Sequence, residues 1–315
     1  MIGGSLACRD ANLGKGSEQT ALVAARLTVR GDVLLDKVIS AGTVIMAGAG
    51  IGGRLCCRGA KIDNNTAGDS LAADGVKVGG SALLCEQFAA TGAVQLSHAS
   101  IGGSLHCSGA SMGANKNGNA LVAQQVNVTG GVLLDDGFAA AGAVSLRGAS
   151  IGRELRWDPG SPASGEVNLE GARAQQLTDN WARPRALGYW PAGRLRLGGF
   201  VYDGFGGGYP ATVNQRLAWI RTQYATQPKH SQTSKQAPAR SGPPASAVTG
   251  GAGNDQPPAL ADAAAPFATQ PYKQLADAYR RAGQEDDARA VEIAMRRDLR
   301  KHGISPGPRH PSTGY

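Results

Sequence analysis

The chain is 315 residues long, carries a formal net charge of +8 and contains 46 glycines without a Gly-X-Y period, which excludes a collagen-like rod. No run of 18 apolar residues occurs, so no segment reads as a membrane span. Only 5% of the residues are aromatic, and Phe88 and Phe138 are the sole rings before residue 150, so any core there is narrow and filled by Val, Leu, Ile and Ala.

At the amino terminus, Met1 to Asp10 shows neither a basic n-region nor an apolar h-region. No secretory signal is read, and the expected compartment is cytoplasmic. A repeat begins at once. Ile2-Gly-Gly-Ser-Leu-Ala-Cys8, Ile51-Gly-Gly-Arg-Leu-Cys-Cys57 and Ile101-Gly-Gly-Ser-Leu-His-Cys107 are copies of one phrase, and Ile151-Gly-Arg-Glu-Leu-Arg-Trp157 is a degraded fourth. The copies start 49, 50 and 50 residues apart, a period that signals a solenoid or array. Inside each unit a shorter beat of eleven residues appears, as in Leu22, Val33, Val44 and Leu55. Phrases such as Gly142-Ala-Val144-Ser-Leu146 alternate with period two, the strand signal. The interspersed glycines are assigned to tight corners with positive φ.

Evenly spaced short strands predict an all-β parallel β-helix (solenoid) over residues 1–205, with two coils per unit. Equivalent positions then stack as Val29/Val78/Val128 and Leu6/Leu55/Leu105/Leu155. A polar insertion recurs in phase at residues 12–20, 61–70 and 111–120. Insertions in phase project from one face, so Asp63, Asn64, Asn65, Asp69, Asn115, Lys116 and Asn117 mark a candidate interaction face. A row of solvated turns is the simpler account of them. The first phrase starts at Ile2 with no capping segment before it, which predicts end-to-end self-association through residues 2–11 or a true start site upstream of Met1.

After Trp157 the repeat fades, and Trp181, Tyr189, Trp190, Phe200, Tyr202 and Phe205 gather as an aromatic cap on the last coil. A short helix is expected within residues 206–228. Residues 229–268, rich in Pro, Ala, Gly and Ser, read as a disordered linker. A small C-terminal α-helical hairpin follows at 269–303, with Pro271 in its first turn and Gly283 ending its first helix. Its facing stripe is read as Leu275, Tyr279, Ala290, Ile293 and Ala294. Residues 304–315 form a disordered tail.

Taken together, Val94-Gln-Leu96-Ser-His-Ala99-Ser-Ile101-Gly-Gly-Ser-Leu105-His-Cys107, Gly130-Gly-Val-Leu-Leu-Asp-Asp-Gly-Phe138, Gly199-Phe-Val-Tyr-Asp203, Arg216-Leu-Ala-Trp-Ile220 and Gln270-Pro-Tyr-Lys-Gln-Leu-Ala276 resemble a group of actinobacterial solenoid proteins commonly labelled membrane-associated oxidoreductases. The resemblance implies a solenoid near a membrane. It supplies no chemistry that transfers to named residues. Members commonly continue into membrane-spanning segments, whereas this sequence runs into a Gly/Pro-rich tail ending at Tyr315.

Motifs for chemistry are few. Gly48-Ala-Gly50-Ile-Gly-Gly53 fits the dinucleotide fingerprint, which works only where the glycines lead a strand into a helix. The five cysteines show no Cys-x-x-Cys spacing, and Cys8, Cys57 and Cys107 fall on the inward side as small apolar residues. The histidines form no triad, and the insertions lack recurring carboxylates for calcium. Arg296, Arg297, Arg300 and Lys301 close the last helix; they complement the helix dipole and are also a candidate contact for anionic lipid.

The leading reading is a non-enzymatic repeat scaffold or binding module without cofactor or metal. Its expected partner is a protein or an anionic membrane surface at the inner face of the cell membrane, and not nucleic acid. The alternative is an oxidoreductase using a nicotinamide or flavin nucleotide at Gly48–Gly53, or redox thiols.

Overall fold

The computed structural model describes residues 1–14, 19–182, 189–208, 210–224 and 267–302. They build a parallel β-solenoid followed by three α-helices: α1 (Val213–Arg221), α2 (Gln270–Arg281) and α3 (Glu285–Lys301). Each turn of the solenoid carries four short strands, as in Thr28–Val29, Val33–Leu34, Ile39–Ser40 and Thr43–Ile45. The next turn repeats them in register: Ile51 on Val29, Leu55 on Val33, Ile62 on Ser40 and Leu71 on Val44. One column runs Ile2, Val29, Ile51, Val78, Ile101, Val128, Ile151, Ala174, Tyr202.

Hydrogen bonds between equivalent corners span 27 residues from Ser5 to Asp32 and 22 from Asp32 to Arg54. Further along they span 23 from Ser81 to Ser104 and 27 from Ser104 to Gly131. Long and short turns therefore alternate, and one of each makes the sequence unit, as the spacing predicts. The eleven-residue beat is half a turn, since Leu22 and Val44 stack on one side while Val33 and Leu55 stack on another.

Among the described residues the strands form three sheets, of 14, 6 and 8 strands. The largest covers two sides of the solenoid, which merge where the strand Ser150–Trp157 runs through the corner between them.

Alternate residues point inward and stack in columns. One holds Leu35, Cys57, Leu84, Cys107, Leu134 and Trp157, all buried. Another alternates in size, with Ala60 and Ala110 in the long turns and Phe88 and Phe138 in the short ones, all 0% exposed. Each ring packs between or over methyls, Val38 takes the place of the ring in the first short turn, and each buried Leu or Phe contributes about 1.5–3 kcal/mol. No turn closes this core alone; each is covered by its neighbours.

The role of glycine differs from the sequence expectation. Left-handed corners occur twice per turn, but Asp10, Arg26, Lys37, Glu86, His98, Gln125 and Asp136 occupy them as well as glycine. The recurrent Gly-Gly sits where successive turns approach too closely to admit a side chain. A Cβ on Gly79 would lie 2.3 Å from the Gly52 carbonyl oxygen, and one on Gly102 would lie 2.2 Å from that of Gly79. The serine after the pair is also used: the hydroxyls of Ser81 and Ser104 accept the N–H of Ser104 and Gly131 in the following turns.

The carboxy-terminal helices close the solenoid. The capping box of Thr212 and Gln215 starts α1. Gln270, Gln274 and Arg281 share one face of α2 and serve the exposed backbone of the last strand, Val201–Gly206, and the residues before it. Gln270 accepts from Gly199 N–H (2.9 Å) and donates to the Phe200 carbonyl (3.2 Å), and Arg281 donates to the carbonyls of Tyr202 (2.7 Å) and Asp203 (2.8 Å). Side chains thus replace the next strand and blunt the sheet edge.

Two boundaries shift. In the hairpin the buried side of α3 is Ala288, Val291, Ala294 and Asp298, whereas Ile293 is 54% exposed. The linker expected at 229–268 lies outside the described residues except for Phe267 and Ala268, which are packed. Phe267 stacks on His302 (4.8 Å between centroids), and the Tyr224 hydroxyl donates to the Ala268 carbonyl (3.0 Å). The tail at 304–315 lies outside the described residues.

Candidate functional site

The insertions come together on one side of the solenoid. In the second, the Asn65 side-chain oxygen accepts from the N–H groups of Ala67 and Asp69; in the third, Asn115 does the same for Asn117 and Asn119. The two loops then pack on each other. Asn115 donates to the Asp69 carboxylate (3.0 Å), Lys116 N–H donates to the Ala67 carbonyl (3.1 Å), and a Cβ on Gly68 would lie 2.7 Å from Asn115 Cα. Asn65, Asp69 and Asn115 are thereby committed to holding the loops, and Asn115 is buried. Asp63, Lys116 and Asn117 remain exposed, with Asn64 half-buried.

At the far end of α3, Arg296, Arg297, Arg300 and Lys301 are all exposed, and exposed Ile293 shares their face at helical spacing. Arg296 lies 3.9 Å from Glu292. Arg297, Arg300 and Lys301 enter no ion pair among the described residues. The first turn of α3 is acidic, with Glu285, Asp286 and Asp287, so both ends suit the helix dipole.

The sequences proposed for redox chemistry are structural. Gly50–Ile51 is a strand, and Gly53 leads into the strand Leu55–Cys56 rather than into a helix. Cys57 and Cys107 are fully buried, and burial pushes both thiols well above their ordinary range, away from the reactive thiolate. Leu35 and Leu84 separate Cys8, Cys57 and Cys107 in their column, leaving about 9–10 Å between successive members of these three, beyond disulfide reach. His98 occupies a corner with φ 59°, and His106 is half-buried on an outer face.

A constellation that the sequence reading did not single out lies under the carboxy-terminal cap. Arg216 of α1, 1% exposed, forms a two-pronged ion pair with Asp179 (2.6 and 2.7 Å), and the Trp190 indole donates to the same carboxylate (3.0 Å). The guanidinium lies 4.0 Å from the centroid of Phe205, 5.2 Å from Trp181 and 5.5 Å from Trp219. Such a pair is held by hydrogen bonds and aromatic faces, with both side chains buried. Around it, Trp181 Nε1, Tyr202 hydroxyl, Arg216 Nε, Trp219 Nε1 and Tyr279 hydroxyl are buried without a hydrogen-bond partner among the described residues. All five can donate, and each unpaired group costs about 1–3 kcal/mol. Burial pushes the Tyr279 hydroxyl up to about 12 and raises that of Tyr202 as well, so both keep their protons.

Beside this cluster a cavity of about 650 Å³ opens between the last strand, the start of α1 and the α2–α3 turn. Phe205, Pro210, Val213 and Ala278 give it apolar walls, and Arg216 and Tyr279 line it. A signal was present in the sequence: Arg216 stands against Leu217, Trp219 and Ile220 in a short helix, where a charge needs a buried partner.

No protein-family model, curated protein or solved structure matches the chain. No helix among the described residues is long and apolar enough to cross a membrane.

Proposed function

We propose that the chain is a non-enzymatic scaffold whose solenoid presents binding faces while α3 docks it on an anionic membrane surface, at the inner face of the cell membrane. The solenoid itself supports the coarser half of this reading, because stacked turns build extended faces rather than an enclosed catalytic pocket. One observation carries the finer half: Ile293 stands exposed amid Arg296, Arg297, Arg300 and Lys301 on one side of α3. An apolar side chain within a basic face suits an interface between headgroups and acyl chains. Each cation near an anionic leaflet contributes about 1 kcal/mol. The resemblance to membrane-associated solenoid proteins points the same way.

The test is co-sedimentation of the full chain with vesicles of phosphatidylcholine alone or with phosphatidylserine. Binding is expected only with the anionic lipid, to fall as salt rises, and to drop at least tenfold when all four cations become Gln. Equal binding to both vesicles, or none, overturns the lipid half of the proposal and leaves the solenoid faces as binding surfaces for protein.

A further inference from the structure

We propose that the cavity under the carboxy-terminal cap binds a small uncharged molecule with an apolar body and a carbonyl oxygen. Its volume, about 650 Å³, falls in the range of small-molecule sites. Apolar walls from Phe205, Pro210, Val213 and Ala278 suit a ring or short chain. Arg216 and Tyr279, 1% and 4% exposed, line the cavity, and Arg216 Nε and the Tyr279 hydroxyl have no hydrogen-bond partner among the described residues. A ligand oxygen accepting from the Tyr279 hydroxyl and Arg216 Nε–H would complete both.

Charge selects among acceptors. Asp179 already neutralises Arg216 through two hydrogen bonds, and Arg281 is turned to the carbonyls of Tyr202 and Asp203. Asp203, Asp287 and Arg281 line the same cavity, so a carboxylate ligand would meet two like charges against one cation whose guanidinium is already spent on backbone carbonyls, a net repulsion that an uncharged amide or ketone oxygen escapes. The cavity involves the first turn of α3, so lipid docking at the opposite end of that helix leaves it open. The two readings fail or stand separately.

The full chain is titrated with acetanilide, benzoate and toluene, which share a ring but differ in acceptor, and binding is followed by ligand-observed NMR and tryptophan fluorescence. Acetanilide should bind saturably, with benzoate and toluene each at least fivefold weaker. Tyr279→Phe removes a hydroxyl with no partner among the described residues, so it should keep or raise thermal stability while weakening acetanilide roughly fivefold. Ala282→Trp, at the rim, should abolish binding by filling the cavity. No saturable binding of acetanilide, equal affinity of Tyr279→Phe, tighter binding of benzoate, or a crystal structure of the soaked protein with only ordered water on these donors would overturn the proposal.

Discussion

The solenoid body and its carboxy-terminal cap solve the same problem with opposite means. In the body each turn finds its neighbours through backbone hydrogen bonds, and the core is a row of aliphatic side chains repeated from turn to turn. Its ion pairs, such as Arg54–Asp32 and Arg58–Asp36, bridge successive turns with their arginines exposed, although Asp36 itself is buried. At the cap the repetition stops, and individual side chains take over. Glutamines and an arginine satisfy the last strand, aromatic rings stack from Trp157 to Trp190 (5.0 Å) to Trp219 (5.5 Å), and the ion pair goes inside. The body is redundant, since many turns share the load. The cap is not, and its stability rests on a few groups that have no substitutes.

The largest effect is expected in the body, where Leu105→Asp places an unpaired carboxylate in a fully buried column. Loss of several kcal/mol, read as a collapse of thermal stability, is expected; an unchanged melting temperature would mean that the column is not the core. Next comes the contrast between ion pairs. Asp179→Ala strands the Arg216 charge and should cost about 3–5 kcal/mol with a change in tryptophan fluorescence, whereas Asp32→Ala should cost no more than about 1 kcal/mol in denaturant titrations. Equal costs would erase the distinction between cap and body.

Gly102→Ala should destabilise by about 1–3 kcal/mol, because the added Cβ meets the Gly79 carbonyl and the backbone must move. A neutral result in circular dichroism melts would show that the turns have slack. The smallest effect is that of acid. Hydrogen bonds from Arg54 hold the Asp32 carboxyl below its ordinary 3.8, and those from Arg58 do so for Asp36 against the upward pull of burial. Their contribution is complete above pH 3.8 and fades as pH falls through the lower folded values. A small drop in melting temperature below that pH, absent in the Asp32→Asn/Asp36→Asn double variant, is expected.

Much of the body was legible because its signals are periodic. The phrase Ile101-Gly-Gly-Ser-Leu105-His-Cys107 repeats at fixed spacing, so register, inward columns and the pairing of turns follow from counting. What periodicity cannot convey is distance between turns, which is why Gly79 and Gly102 read as corner residues although close approach is what excludes a side chain there. Nor does it say where a polar side chain is spent: Asn65 and Asn115 resemble recognition residues in sequence, yet they hold their own loops. The cap had no second copy for comparison. Asp179 and Arg216 lie far apart in the chain, and only folding brings them together. In α3, Ile293 misled because hydrophobicity alone assigned it inward, while the helix turns Ala288, Val291 and Ala294 to the interior.

The alternation of ring and methyl along the bore has a consequence for how such a chain can change length. Phe88 lies over Ala60 and under Ala110, and Phe138 in turn lies over Ala110. Excising one turn would set two Phe rings, or two methyls, against each other, and would put two insertion-bearing turns, or two turns without one, side by side. Excising a long and a short turn together restores every neighbour. The heritable quantum of this architecture is therefore the pair of turns, and viable duplications or deletions within it should arrive in whole pairs, like steps on a ruler with only even marks.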